Sequence, residues 1–144
     1  MNKTLIILIL AVIVLSWNFV FTDKKKIDLT DSAKVLQGLS MAMKYKIAIK
    51  EYWQETGVLP DAEAWQKAGK KIEVDISRSL VKNIEVAADG PGIISVYFAN
   101  KETVSVAKDI AGKMVMLMPE AEGKRLVWAC KGTLQKEYLP SKCQ

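Results

Sequence analysis

The two cysteines in the C-terminal tail are the strongest constraint on the fold of this 144-residue chain. Cys130 and Cys143 are the only cysteines, and twelve residues lie between them. A disulfide between them would close a small ring, and such a ring stabilises a domain by about 3 kcal/mol. The spacing is too wide for a CxxC redox centre, and two cysteines make a poor zinc site. The pair predicts a stapled tail in an oxidising compartment, and the alternative is two free thiols in the cytosol.

An almost wholly apolar run, Leu5–Phe21, lies near the N-terminus. As a helix rising roughly 1.5 Å per residue, this run just spans a hydrocarbon core of ~30 Å. It ends in large side chains such as Trp17, whereas a signal-peptide cleavage site requires small residues. We therefore predict a retained anchor helix with its basic flank in residues 1–26, followed by one globular domain in residues 27–144.

Charge and cysteine chemistry disagree on the orientation of this anchor. Lys24, Lys25 and Lys26 follow the apolar run directly, and the positive-inside rule then favours a cytoplasmic C-terminal side. A disulfide between Cys130 and Cys143 favours the opposite side, because disulfides persist in oxidising compartments. We give the cysteines precedence and expect the C-terminal domain on the oxidising side.

The charge of the chain is mildly positive, with 21 basic and 16 acidic residues and no histidine. The lysines are dispersed and are not clustered with aromatic residues as in nucleic-acid-binding proteins. A solvated surface explains them best, and weak attraction to acidic surfaces or DNA is the alternative.

A long helix is predicted from Asp31 to Thr56, where apolar residues recur at helical spacing and Gly38 is the only glycine. One stripe consists of Val35, Leu36, Leu39, Met43 and Ile47, and a second, offset stripe of Met41, Tyr45, Ile49 and Tyr52. Gly57 follows as a stop signal. A helix that is apolar on two sides usually packs against two partners. We expect one side on the domain's own sheet and the other on the membrane-proximal bundle or a neighbouring subunit. A deeply buried helix is the alternative.

The second half of the chain has the pattern of a β-sheet. A short helix at residues 61–70 precedes four apolar, β-branched runs at residues 79–88, 93–99, 113–118 and 124–129. Turn signals separate these runs, and one of them is the stretch Pro119–Gly123. Short strands at such intervals predict an antiparallel meander. The fold class is therefore α+β, with the long helix packed across a four-stranded antiparallel sheet.

Residues suited to catalysis or cofactor binding are scarce. The absence of histidine removes Ser-His-Asp and Cys-His arrangements and most metal sites. The carboxylates are scattered, and Asp89–Gly92 reads as a hairpin turn because Pro91 lacks an N–H donor for a phosphate. We expect no enzymatic activity, no cofactor and no bound metal. Large aromatic residues such as Trp53, Trp65 and Trp128 are expected in the core, with a ligand cleft as the alternative.

Four segments in this order resemble the bacterial type IV pilins. The stretch from Val35 to Pro60 is similar to the pilin spine helix and its exit turn, and residues 89–98 and 113–119 resemble the second and third strands of the pilin sheet. The stretch from Trp128 to Cys143 looks like the last strand and the disulfide-bounded C-terminal loop. The resemblance covers residues 31–144 and implies the pilin α+β fold.

The N-terminus departs from the pilin pattern. A prepilin has a basic leader that ends in glycine, followed by an apolar run with an early glutamate. Here no glycine precedes the apolar run and no acidic residue lies in residues 1–21. In the family, the glycine is needed for removal of the leader by the prepilin peptidase. The glutamate neutralises the new N-terminus of a neighbouring subunit during assembly. A carboxylate in an apolar bundle is costly unless it is paired, so we expect atypical processing and assembly.

The resemblance implies a non-enzymatic, pilin-like interaction protein in the bacterial inner membrane, with a periplasmic domain and with other pilins or pilus-assembly proteins as partners. We expect contact through the helix face of Met41, Tyr45, Ile49 and Tyr52, and through Tyr138 as an aromatic anchor in the disulfide loop. One alternative is a true pilus subunit at the cell surface, active in adhesion, motility or DNA uptake. Another is a periplasmic module that binds DNA or a small ligand.

Overall fold

The computed structural model describes residues 29–69, 72–100 and 108–143. The predicted anchor helix and the boundary between the anchor and the domain lie outside these residues and stay predictions. No helix in the described ranges is long and apolar enough to cross a membrane.

The predicted long helix is present as two consecutive segments, α1 (Leu29–Met41) and α2 (Met43–Thr56). Only Ala42 separates them, and it keeps right-handed helical angles (φ −68°, ψ −12°). Its N–H donates to the carbonyl of Leu39 at 3.1 Å, which tightens one turn without redirecting the chain. Gly57 ends α2 at φ 77° and donates its N–H to the Trp53 carbonyl, so the predicted stop is confirmed.

A short helix, α3 (Ala62–Lys67), follows the exit turn of α2. The Asp61 side chain caps it by accepting a hydrogen bond from the Ala64 N–H at 2.8 Å. The buried Pro60 offers its carbonyl to the Gly92 N–H at 2.8 Å. This bond ties the exit turn of α2 to the first hairpin of the sheet.

The sheet is a four-stranded antiparallel meander in the order β1-β2-β3-β4. Its strands are β1 (Val81–Val86), β2 (Ile94–Phe98), β3 (Met114–Glu122) and β4 (Arg125–Gly132). The α+β fold predicted from the sequence is confirmed: the helix comes first and packs on one face of the sheet.

The third strand is longer than predicted. Pro119 and Glu122 belong to β3 and pair with Trp128 and Arg125 of β4, although the sequence predicted a turn there. The β2–β3 pairing ends at Ile94 and Leu117, so Pro119 has a partner strand on one side only. Pro119 has no N–H to donate to a partner strand, and it is tolerated at such an edge. The turn is therefore confined to Gly123 (φ 61°) and the residue after it.

The core lies between the two long helices and one face of the sheet. Its fully buried side chains come from the helices, from β2 and β3, and from the loop before β3: Val35, Ile49, Ile94, Val96, Phe98, Ile110 and Val115. Gly38 is the point of closest approach, because a Cβ there would lie 2.8 Å from Val81 Cγ2 and 3.1 Å from Phe98 Cε1. The absence of a side chain at this one position lets the helix rest directly on the sheet.

Candidate interaction site

The tail is closed by a disulfide between Cys130 of β4 and Cys143 of a short 3₁₀ turn, Ser141–Cys143. The two Cα atoms are 4.9 Å apart, within the range that a disulfide requires. The predicted pairing is therefore confirmed, and no free thiol occurs among the described residues. The bond folds the end of the chain back against the edge strand of the sheet.

The helix face predicted to meet a partner is turned largely into the domain. Ile49 is 0% exposed, Met41 and Tyr45 pack against the core, and Tyr52 is half-buried. The Tyr45 hydroxyl donates to the Ile72 carbonyl at 3.5 Å, and burial raises the pKa of this phenol. Ile49 therefore offers no surface to a partner, and partner contact through the other three side chains stays a prediction.

Tyr138, predicted as an aromatic anchor for a partner in the disulfide loop, is only 5% exposed. Its hydroxyl donates to the Asp109 carboxylate at 3.4 Å, and its ring belongs to the core. The ring is buried because the apolar core offers it more contact than the solvated side of the loop. The ring holds the loop against its own domain, and a role of Tyr138 in partner contact stays a prediction.

The exposed apolar side chains of the helices form a different stripe. Leu36, Met43 and Ile47 are 55%, 52% and 56% exposed. At 3.6 residues per turn, positions 36, 43 and 47 lie on one side of the helix, away from Val35 and Ile49. The first predicted stripe is thus split, with Val35 and Leu39 in the core and the other three members in solvent.

A groove with a volume of about 910 Å³ runs beside this stripe. The helices form one wall, with Leu36, Met43 and Ile47, and the opposite wall carries Trp128 of β4, Pro140 and the Cys130–Cys143 disulfide. The groove exists because the helix rests on β1, β2 and β3 and leaves a gap at the edge strand and the disulfide loop. We call these residues, with Lys46 and Lys50, the basic groove.

The two lysines give the basic groove its charge. The Lys46 Nζ lies 4.9 Å from the centroid of the Trp128 ring, within cation–π distance. Lys50 follows one turn later on the exposed side of α2. Among the described residues that line the groove, none is acidic. The site therefore suits an apolar segment with acidic neighbours. Burial of apolar surface and attraction to the two lysines would hold such a segment in the groove.

The sequence placed Trp128 and Trp65 in the core, and the structure shows both packing against it. Trp128 also lines the groove, and a ligand cleft there stays a prediction. Trp53 is half-buried on α2. The sequence reading did not single out Lys46 and Lys50, although their position beside the stripe of Met43 and Ile47 was a readable signal.

The other perturbed ionisable groups lie outside the groove. Burial raises the pKa of Tyr97, assisted by the negative charges of Asp89 and Glu85. Hydrogen bonds from Ser77 lower the pKa of the exposed Asp75. Within the described ranges, no group of three or more acidic, cysteine or histidine side chains is arranged to hold a metal ion. The groove thus offers shape and charge to a binding partner.

A spine helix across a four-stranded meander, closed by a tail disulfide and bearing a surface groove, defines a structural or binding domain. Residues 32–144 match the family model for pilins, the subunits of bacterial filaments, and the chain belongs to this family. It is similar to the fimbrial protein EcpC of Eikenella corrodens, with 27% identity over 118 residues that cover 81% of this chain and 72% of the relative. The chain is accordingly a pilus-related structural protein.

Proposed function

We propose that this protein is a pilin-like interaction protein that acts by contact with other pilins or pilus-assembly proteins in a type IV pilus system. The basic groove carries the proposal, because it is an apolar surface open to solvent on an otherwise well-packed domain. Isolated exposed apolar residues are ordinary, but a contiguous patch with a charged rim is typical of an interface.

We place the protein in the bacterial inner membrane with its domain in the periplasm. The apolar run Leu5–Phe21 supports the anchor, since its length matches the hydrocarbon core of a bilayer. The disulfide supports the compartment, because such bonds persist where the environment is oxidising.

The likeness to a fimbrial protein favours a second candidate, a subunit that assembles into the pilus itself. The two candidates differ in the state of the N-terminus and in location. An anchored protein keeps its apolar run and remains in the inner membrane. An assembled subunit is found in filaments sheared from the cell surface, with a processed N-terminus.

Cell fractionation combined with intact-mass spectrometry tests both candidates. The full chain, produced in a bacterium that has type IV pili, is sought in the sheared surface fraction, the inner membrane, the periplasm and the cytosol. An inner-membrane protein whose mass includes Met1 supports the anchored form, and a trimmed chain in sheared filaments supports the pilus subunit. A cytosolic chain with reduced cysteines would contradict both.

A further inference from the structure

The last strand, β4, has an open edge. Among the described residues, only β3 lies beside β4 in the sheet. Hydrogen bonds alternate along an antiparallel ladder, and Thr133 donates its N–H to the Met114 carbonyl at 3.0 Å, so the odd-numbered residues of β4 bond to β3. The even-numbered residues Leu126 and Trp128 therefore direct their N–H and C=O groups to the open edge. Cys130, the next of these, carries the disulfide to the tail.

The two edges of the sheet differ in how they are protected. Open edges invite a further strand, and native proteins block them with charged residues or bulges. β1, at the other edge, carries Lys82 and Glu85, and its register with β2 shifts between Val81 and Asn83. β4 pairs with β3 without a shift, and residues 126–130 contain no charged side chain. β4 is therefore an unprotected template for a further strand.

The exposed stripe of the helices lies over the position that a fifth strand would take. Such a strand would run about 4.8 Å beyond β4. The groove beside β4 has Trp128 on one wall and the exposed Leu36, Met43 and Ile47 on the other. Its volume of about 910 Å³ accommodates several side chains. A fifth strand would give the stripe the apolar partner that the four-stranded sheet does not supply.

Charge narrows the sequence of such a strand. Lys50 is exposed and lines the groove, and none of the described lining residues is acidic. An acidic side chain beside Lys50 complements this charge, whereas a basic side chain is repelled. An extended peptide is the occupant that uses the open edge, the apolar stripe and the lysine together.

We infer that an extended segment of a different protein adds to β4 as a fifth strand in the basic groove. Its backbone pairs with Leu126 and Trp128. Apolar side chains at alternate positions pack against Met43 and Ile47, and an acidic side chain lies beside Lys50. The inference rests on the proposed function as an interaction protein, and it specifies the mode of contact and the chemistry of the partner.

A strand supplied within the chain tests the site directly. Because Cys143 lines the groove, a glycine-serine linker added at the C-terminus can bring a strand of about seven alternating valine and threonine residues to β4. We expect hydrogen exchange of the Leu126 and Trp128 amides, measured by NMR on the full-length fusion in detergent, to slow by roughly ten-fold. The Val127 amide already bonds to β3, so its exchange should not change.

A matched tail with proline in place of each threonine is the control. It keeps the length and the valines, but proline has no N–H to donate and is excluded from the interior of sheets. We expect amide exchange in this fusion to match that of the unaltered protein. Equal slowing by both tails, or no slowing by the threonine tail, would overturn the inference. The intact Cys130–Cys143 disulfide in each fusion confirms folding.

Photo-crosslinking in the bacterium tests whether a natural partner uses the same site. The photoreactive residue p-benzoylphenylalanine replaces Met43, which is exposed in the groove, in the full-length protein. We expect a product with a different protein, which falls by roughly ten-fold when the threonine tail occupies the groove and persists with the proline tail. A product of two copies, loss with both tails, or loss with neither would overturn the inference.

Charge reversal tests the acidic residue assigned to the partner. Lys50→Glu should lower the crosslinked product by roughly three-fold, as the loss of an interfacial charge pair predicts. Lys82→Glu, at an exposed position of β1, is the matched control and should leave the product unchanged. Equal amounts of product from the two variants would refute the charge complementarity on which the inference depends.

The location of the chain in the same cells reports on the proposed function independently. A chain that is found in the membrane or the sheared fraction, but gives no product with another protein, refutes strand addition alone. A cytosolic chain with reduced cysteines refutes the proposed function itself.

Discussion

Single residues set how closely the helix approaches the sheet. Gly38 is the contact point, where a Cβ would meet both Val81 and Phe98, and the Phe98 ring fills the space beneath it. A glycine inside a helix costs helical propensity, about 1 kcal/mol relative to alanine. Its presence here is explained by the close contact it permits. The sequence showed a helix with one glycine, and the structure shows what that glycine touches.

Gly38→Val should therefore destabilise the domain by about 1–3 kcal/mol, because overpacking forces Val81 or Phe98 from its place. Urea unfolding of the full-length protein in detergent measures the change. Ser40→Val is the matched control, since it adds a β-branched side chain on the exposed side of the same helix. Helix propensity favours valine over glycine, so a loss for Gly38→Val no larger than that for Ser40→Val would contradict the role given to the contact with the sheet.

Contacts between elements decide which face of the spine helix is buried. The loop between α3 and β1 covers one flank of α2: the Tyr45 hydroxyl reaches the Ile72 carbonyl, and Lys44 Nζ donates to the Glu73 carbonyl at 3.2 Å. On the other flank the sheet ends and the groove begins. The helix is thus covered on its Tyr45 side and open on its Ile47 side.

The buried contact between the Tyr45 hydroxyl and the Ile72 carbonyl predicts that the free energy of unfolding depends on pH. Burial raises the pKa of this phenol above the value of 10.0 in the unfolded chain, so the contact is fully present below pH 10. As the pH rises from 10 through the folded pKa, the unfolded state ionises first and stability falls. Unfolding free energies measured from pH 8 to 11 should decline less steeply for Tyr45→Phe than for the unaltered protein. If the unfolding free energies of the two proteins fall equally with pH, the decline does not come from Tyr45.

At the scale of the whole molecule, the disulfide joins the chain end to the last strand of the sheet. Ser141–Cys143 lies against β4, and Tyr138 anchors the intervening loop in the core. The same closure forms the wall of the basic groove that carries Pro140. The tail therefore contributes both to stability and to the surface that we propose as the docking site.

Loss of the disulfide by the double substitution Cys130→Ser and Cys143→Ser should lower the free energy of unfolding by about 3 kcal/mol, as expected for a ring of this size. Urea unfolding gives the value, and the unaltered protein with reductant should give a similar one. Retention of Tyr138 in the core should keep the variant folded. A change below about 1 kcal/mol would mean that the loop packing alone holds the tail.

The sequence by itself determined the elements: the spine helix with its stop at Gly57, four strands in a meander, and the pairing of Cys130 with Cys143. These follow from local periodicity, from turn residues and from a count of two cysteines. Periodicity also revealed two apolar stripes on the helix. It did not determine which residues of those stripes meet the sheet, because a repeat of 3.6 residues defines a face but not the surface that covers it. Only the tertiary structure decided that Ile49 and Tyr138 are buried and that Leu36, Met43 and Ile47 stand open beside Trp128. The reason is the position of the sheet edge and the disulfide loop relative to the helix, which depends on contacts between residues far apart in the chain.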